Sequence, residues 1–133
     1  DAEMRRVHAA DPDARFVVLG YEAGAGPALA LARGAADGGL PVDAVVLLDP
    51  LGASAMSTIH PVRTVVVRSH GWGKAADAPG HECLTAAHVG HFSLPTHPGT
   101  VRLLVDVLTE SAAAVPPVSD AGLPRLPLCD ETC

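Results

Sequence analysis

The stretch from Arg15 to Leu31, RFVVLGYEAGAGPALAL, decides the fold of this chain. A short apolar run stops at Gly20, and a glycine-rich turn leads into an alanine- and leucine-rich segment with Pro27 in its first turn. Glycines permit a tight turn, and proline suits a first helical turn because its missing N–H is not needed there. The stretch therefore predicts strand, turn and helix. Since such a turn sets free helical N–H groups at the carboxyl end of a parallel strand, we expect any chemistry between Gly20 and Gly26.

The flanking segments predict a further alternation of helices and strands. A short amphipathic helix comes before the first strand, and three apolar segments come after it, followed by a helix with one apolar face. This order is typical of an α/β domain that has a parallel sheet with flanking helices. The predicted helices cover residues 2–10, 24–37 and 99–114, and the predicted strands cover 15–19, 42–48, 62–68 and, more weakly, 81–87.

The composition narrows the classes of function. The chain has 133 residues, of which 48% are hydrophobic, and a formal net charge of −6. Its nine lysine and arginine residues are scattered, which argues against nucleic acid or an anionic membrane as a partner. No apolar run is long enough for a transmembrane segment, so we expect a soluble domain. Three cysteines, an odd number, leave the cellular compartment undetermined.

The last part of the chain differs in composition from the rest. Residues 116–133, PPVSDAGLPRLPLCDETC, are rich in proline and have no hydrophobic period, so they predict an irregular tail after a domain of residues 1–115. Within the tail, Cys129 and Cys133 are candidates for a disulfide or for half of a metal site.

The order of elements, together with two local motifs, resembles the C-terminal part of the α/β-hydrolase family of esterases and lipases. That family carries its nucleophile in a G-x-S-x-G elbow and its histidine in the loop after the last strand, before a long terminal helix. Gly20 and Gly24 match the two glycines of the elbow, Glu22 takes the position of the nucleophile, and His91 in Gly-His-Phe matches the histidine. The resemblance implies hydrolysis of a small ester or acyl substrate without a cofactor.

The resemblance also implies the remaining parts of the site. Asp49, which ends the strand after the elbow, matches the lipase-like position of the acid, whereas the more usual position one strand later offers only Asp77. The N–H of Ala23, directly after the nucleophile position, would be an oxyanion donor. Tyr21 beside the elbow and Trp72 between two glycines are candidate binding residues.

Two departures from the family pattern predict an impaired or inactive enzyme. Glu22 replaces serine, and a carboxylate has no proton to give to a histidine at neutral pH, although some relatives use an aspartate at this position as a nucleophile. The early strands of the family fold, which supply the other oxyanion donor, would lie before residue 1. Their lack would leave the strand Arg15–Leu19 as an apolar edge, for which we expect a second copy or a completing chain.

Other functions can be based on the same residues. Gly20, Gly24 and Gly26 also resemble the phosphate-binding turn of short-chain dehydrogenases, with Asp49 placed to hold a ribose, but the Tyr and Lys pair of that family is missing. A non-catalytic binding or structural role is a further alternative. A metal site is a weaker one, and its candidate ligands are His81, His88, His91 and His97.

Overall fold

A computed structural model describes residues 1–51, 62–71, 82–111 and 128–129 of the chain. The α-helices are α1 (Ala2–Ala10), α2 (Ala25–Asp37) and α3 (Pro98–Ser111), and two 3₁₀ helices span Glu22–Gly24 and His91–Thr96. The strands are β1 (Phe16–Tyr21), β2 (Val42–Leu48), β3 (Arg63–Ser69), β4 (Glu82–Ala86) and β5 (Leu128–Cys129).

The five strands form one sheet in the order β1-β2-β3-β4-β5. The first four strands are parallel, and β5 pairs with β4 in the antiparallel direction. The predicted fold class, an α/β domain with a parallel sheet and flanking helices, is confirmed. Because the four parallel strands run in sequential order, their carboxyl ends follow one another along a single edge of the sheet.

The two faces of the sheet carry separate apolar cores. On one face, side chains of β1 to β3 pack against α2, which contributes Ala28, Leu29 and Ala32, and against Met4 of α1. On the other face, β2 and β3 pack against Leu94 of the second 3₁₀ helix and Val107 of α3. The valines and leucines of β2 and β3 are almost all fully buried, which stabilises the fold by about 1.5–3 kcal/mol per side chain.

Close packing between β1 and α2 depends on one glycine. A Cβ atom at Gly20 would lie 2.8 Å from the Ala25 Cα, 2.8 Å from the Ala28 Cβ and 2.9 Å from the Gly24 carbonyl oxygen. At Gly24, by contrast, a Cβ atom would meet no atom within 4 Å in the part of the chain that the structure describes. Of Gly20 and Gly24, therefore, only Gly20 is required by the close approach of α2 to β1.

Several elements are shifted by one residue at an end, and three regions differ from the prediction by more than that. β1 runs to Tyr21 instead of stopping at residue 19, since Gly20 and Tyr21 still pair in register with Leu47 and Leu48 of β2. The predicted loop of residues 88–98 contains the 3₁₀ helix His91–Thr96. Within the predicted irregular tail, Leu128 and Cys129 form the short strand β5.

Some of the remaining predictions fall partly or wholly outside the described residues. Cys83 of β4 is disulfide-bonded. Cys133 and most of the tail lie outside the described ranges. Among the helices that are described, none has the length and apolar character needed to cross a membrane.

Candidate active site

The turn after β1 holds a residue in a strained backbone conformation. Glu22 follows the strand with a φ of 51°, in the left-handed region that non-glycine residues rarely adopt. It then begins the 3₁₀ helix that leads directly into α2. A left-handed residue of this kind costs about 1–3 kcal/mol of stability, and such strain occurs preferentially at functional sites.

Asp49 sits at the matching position after β2. Its φ is 44°, and its side chain is fully buried. The carboxylate accepts hydrogen bonds from the Ser69 backbone N–H at 2.7 Å and from the Ser69 hydroxyl at 2.6 Å, so the end of β3 fixes its orientation. Burial lowers the pKa of the Arg68 guanidinium, and the negative charge of Asp49 partly opposes this shift.

His91 completes the contact between these two turns. Its Nδ1 atom lies 2.8 Å from the Asp49 Oδ2 atom, and the histidine side chain is almost fully buried. An ionised carboxylate only accepts hydrogen bonds, so Nδ1 carries the proton in the neutral ring and Nε2 is left as an acceptor. The Nε2 atom faces the elbow, 3.7 Å from the Glu22 Oε2 atom, which is longer than a hydrogen bond.

The Tyr21 hydroxyl lies within hydrogen-bond distance of the second ring nitrogen of His91. The Tyr21 hydroxyl lies 3.0 Å from the His91 Nε2 atom and 3.3 Å from the His91 carbonyl oxygen. The two rings also stack, with centroids 5.1 Å apart and planes inclined by 28°. Burial, and then the negative charges of Glu22 and Asp49, raise the pKa of Tyr21, so the hydroxyl keeps its proton at neutral pH.

Two exposed apolar side chains belong to residues that contact the site. Phe92 packs edge-on against the His91 ring at a centroid distance of 5.0 Å, yet it is 88% exposed. Leu51 is also exposed, and its backbone N–H donates to the Glu22 carbonyl oxygen at 3.4 Å. The surface around the elbow is therefore suited to contact with an apolar group.

The structure brings together most of the residues that the sequence singles out. Glu22, Asp49, His91 and Tyr21 surround one point at the carboxyl edge of the sheet. Ala23 follows in the first turn of the 3₁₀ helix, where N–H groups have no partner within the helix. Trp72, Asp77 and His81 lie outside the described residues.

Sequence reasoning missed two residues of the site. Ser69 could have been found, since it ends the strand beside β2 and parallel strands bring their carboxyl ends together. Phe92 directly follows His91, but nothing in its spacing indicates an exposed ring.

Two further findings concern metal binding and similarity to known proteins. Among the described residues, no group of three or more His, Cys, Asp or Glu side chains is arranged to hold a metal ion. Comparison of the chain with protein-family models, with curated proteins and with solved structures gives no match.

Proposed function

We propose that this chain is an α/β-hydrolase-type domain that hydrolyses ester or similar acyl bonds at the site formed by His91 and Asp49. The observation that carries the proposal is the 2.8 Å contact between the His91 Nδ1 atom and the buried Asp49 carboxylate, with Nε2 directed at the elbow. This is the relation between base and orienting acid on which acyl-transfer sites of the triad type depend.

In the proposed mechanism, His91 acts as the general base. Asp49 holds the ring in the tautomer in which Nε2 is an acceptor, and its charge stabilises the imidazolium that forms when Nε2 takes a proton. The Glu22 carboxylate, 3.7 Å from Nε2, adds a second negative charge beside this imidazolium but supplies no proton. Since the nucleophile position lacks a hydroxyl, we expect slow turnover.

The surroundings of Asp49 favour this function over nucleotide binding. A ribose would need a carboxylate that is free to accept hydrogen bonds from its hydroxyl groups. The Asp49 carboxylate is fully buried and already accepts hydrogen bonds from Ser69 and His91. It is therefore engaged inside the domain and not presented to a ligand in the turn.

Hydrolysis of short-chain p-nitrophenyl esters tests the proposal. We expect weak turnover by the parent chain and a decrease of about 100-fold or more in His91→Ala, because general-base catalysis contributes at least that factor. His88→Asn is the matched control: His88 is an exposed histidine with a φ of 63°, a conformation that asparagine tolerates. Equal turnover in the parent and in a folded His91→Ala variant would disprove the role of the base.

The variant Glu22→Ser tests whether the turn after β1 can support acyl transfer. A serine hydroxyl can give its proton to His91, so we expect this variant to turn over faster than the parent and to react with a fluorophosphonate. If a folded Glu22→Ser variant is inert to both reagents, His91 and the oxyanion donors do not support a nucleophile at this position.

We also propose that a second copy or a completing chain pairs with the sheet at β1. β1 is the first strand in the sheet order, and within the described residues its outer edge has no partner strand. Leu19 in this strand is 50% exposed. An open edge that is apolar is a template for pairing with another strand.

A further inference from the structure

We infer that Tyr21 is the nucleophile of this site, with its hydroxyl in the place that a serine hydroxyl takes in a triad. The inference rests on the proposed ester hydrolysis and names the group that His91 activates. Its basis is the continuous contact from the Tyr21 hydroxyl through the His91 ring to the Asp49 carboxylate, with distances of 3.0 Å and 2.8 Å.

The direction of the hydrogen bonds follows from the chemistry of the three groups. Asp49 can only accept, so His91 donates from Nδ1, and Nε2 accepts from the Tyr21 hydroxyl. The Glu22 carboxylate is farther from Nε2, at 3.7 Å, and has no proton to transfer. A base–hydroxyl pair within hydrogen-bond distance, with the base oriented by a third group, is the arrangement that activates a nucleophile.

The resting site keeps Tyr21 protonated. Burial and two nearby carboxylates raise its pKa, so the hydroxyl needs the adjacent His91 as a base before it can attack. Transfer to Nε2 creates an imidazolium between Asp49 and Glu22, where both negative charges stabilise it. Tyr21 as a whole is only partly buried.

The proposed hydrolysis has two steps, acylation of Tyr21 and deacylation by water. First, the Tyr21 oxygen bonds to the ester carbonyl carbon as its proton passes to Nε2; the bond to the alcohol oxygen then breaks, and that oxygen takes the proton from Nε2. Second, water attacks the acyl-tyrosine and gives a proton to Nε2, and the phenolate leaves and takes this proton. Because a phenol has a pKa near 10, well below that of an alkyl alcohol, the acyl-tyrosine hydrolyses more readily than an alkyl ester.

Chemical labelling tests the nucleophile without the need for turnover. An arylsulfonyl fluoride forms a stable sulfonate ester with an activated tyrosine hydroxyl, and Tyr21 is the only tyrosine in the chain. We expect sulfonylation at Tyr21, mapped by peptide mass spectrometry, and a rate about 100-fold lower in His91→Gln, which can still donate to Asp49 but is not a base. The control variant His88→Asn should react at the rate of the parent.

The outcomes separate this inference from the proposed function. If Tyr21 reacts no faster in the folded chain than in the chain unfolded in urea, the inference is overturned. Ester hydrolysis that depends on His91 but persists in Tyr21→Phe would also overturn it, while leaving the hydrolase proposal intact. Sulfonylation of Tyr21 that depends on His91, in a chain without ester turnover, would instead refute the hydrolase proposal and support activation of Tyr21. Loss of His91-dependent turnover in a folded Tyr21→Phe variant supports both.

Discussion

Tyr21 contacts His91 and lies near the carboxylates of Glu22 and Asp49. Its titration therefore reports on all three of these neighbours. Burial is the main cause of its raised pKa, and the charges of Glu22 and Asp49 add to it. Because the chain has one tyrosine, the absorbance of its phenolate can be assigned without ambiguity.

We expect this phenolate to appear at a higher pH in the folded chain than in the chain unfolded in guanidinium. Replacing Glu22 by glutamine removes one negative charge and should lower the pKa of Tyr21 toward its ordinary value. The unfolded chain loses the proton first as the pH rises, so the free energy of unfolding should decrease above the ordinary tyrosine pKa of about 10. Identical titrations of the folded and unfolded chains would contradict the contacts around Tyr21.

At the scale of the elements, the junction of β1 and α2 tests which part of the glycine pattern the fold needs. The two elbow glycines look alike in sequence, but only a Cβ atom at Gly20 would collide with neighbouring backbone. Gly24 has a φ of −71°, which any residue adopts, and has open space around it.

We expect Gly20→Ala to lower the free energy of unfolding by about 2–3 kcal/mol, because backbone atoms of the elbow must move to make room. Gly24→Ala should leave stability unchanged or raise it by about 0.5 kcal/mol, since alanine restricts the unfolded chain. Urea denaturation of both variants measures the difference. Equal stability of the two variants would argue against the close approach of α2 to β1.

The elements also show what a single sequence can and cannot predict. β2 was predicted at the bounds it has, because VDAVVLL is apolar almost throughout, as a strand covered on both faces must be. β1 was predicted too short, since Gly20 looks like a strand end but instead serves close packing within the strand. The 3₁₀ helix His91–Thr96 has no periodic signal, so its sequence predicted a loop.

The same distinction holds for the candidate site. Glu22, Asp49 and His91 were singled out through the resemblance to α/β-hydrolases, and the contacts of His91 with Glu22 and Asp49 show that the three residues lie together. The hydrogen bond from Tyr21 to His91 depends on the placement of the second 3₁₀ helix against the sheet, which no local pattern encodes. The contact of Ser69 with Asp49 depends similarly on the register between β2 and β3.

At the scale of the whole molecule, the sheet edge at β1, which has no partner strand among the described residues, predicts association. We expect the parent chain to form dimers or larger species in size-exclusion chromatography with light scattering, and Leu19→Lys to shift it toward monomer, because a lysine on an edge strand opposes pairing. Leu31→Lys is the control, since it changes an exposed leucine of α2 and not the edge. A parent chain that stays monomeric as its concentration rises would refute pairing with a second copy.

The left-handed backbone at Glu22 and Asp49 has a consequence for how this protein responds to selection. Glu22, with a φ of 51°, holds a conformation that suits glycine or asparagine better, whereas the hydrogen bonds of the buried Asp49 to Ser69 and His91 offset the cost of its φ of 44°. Selection for heat resistance alone would thus favour replacing Glu22 and retaining Asp49. A library screened only for thermal survival is therefore expected to lose Glu22, so any engineering for durability has to retain a functional assay at every round.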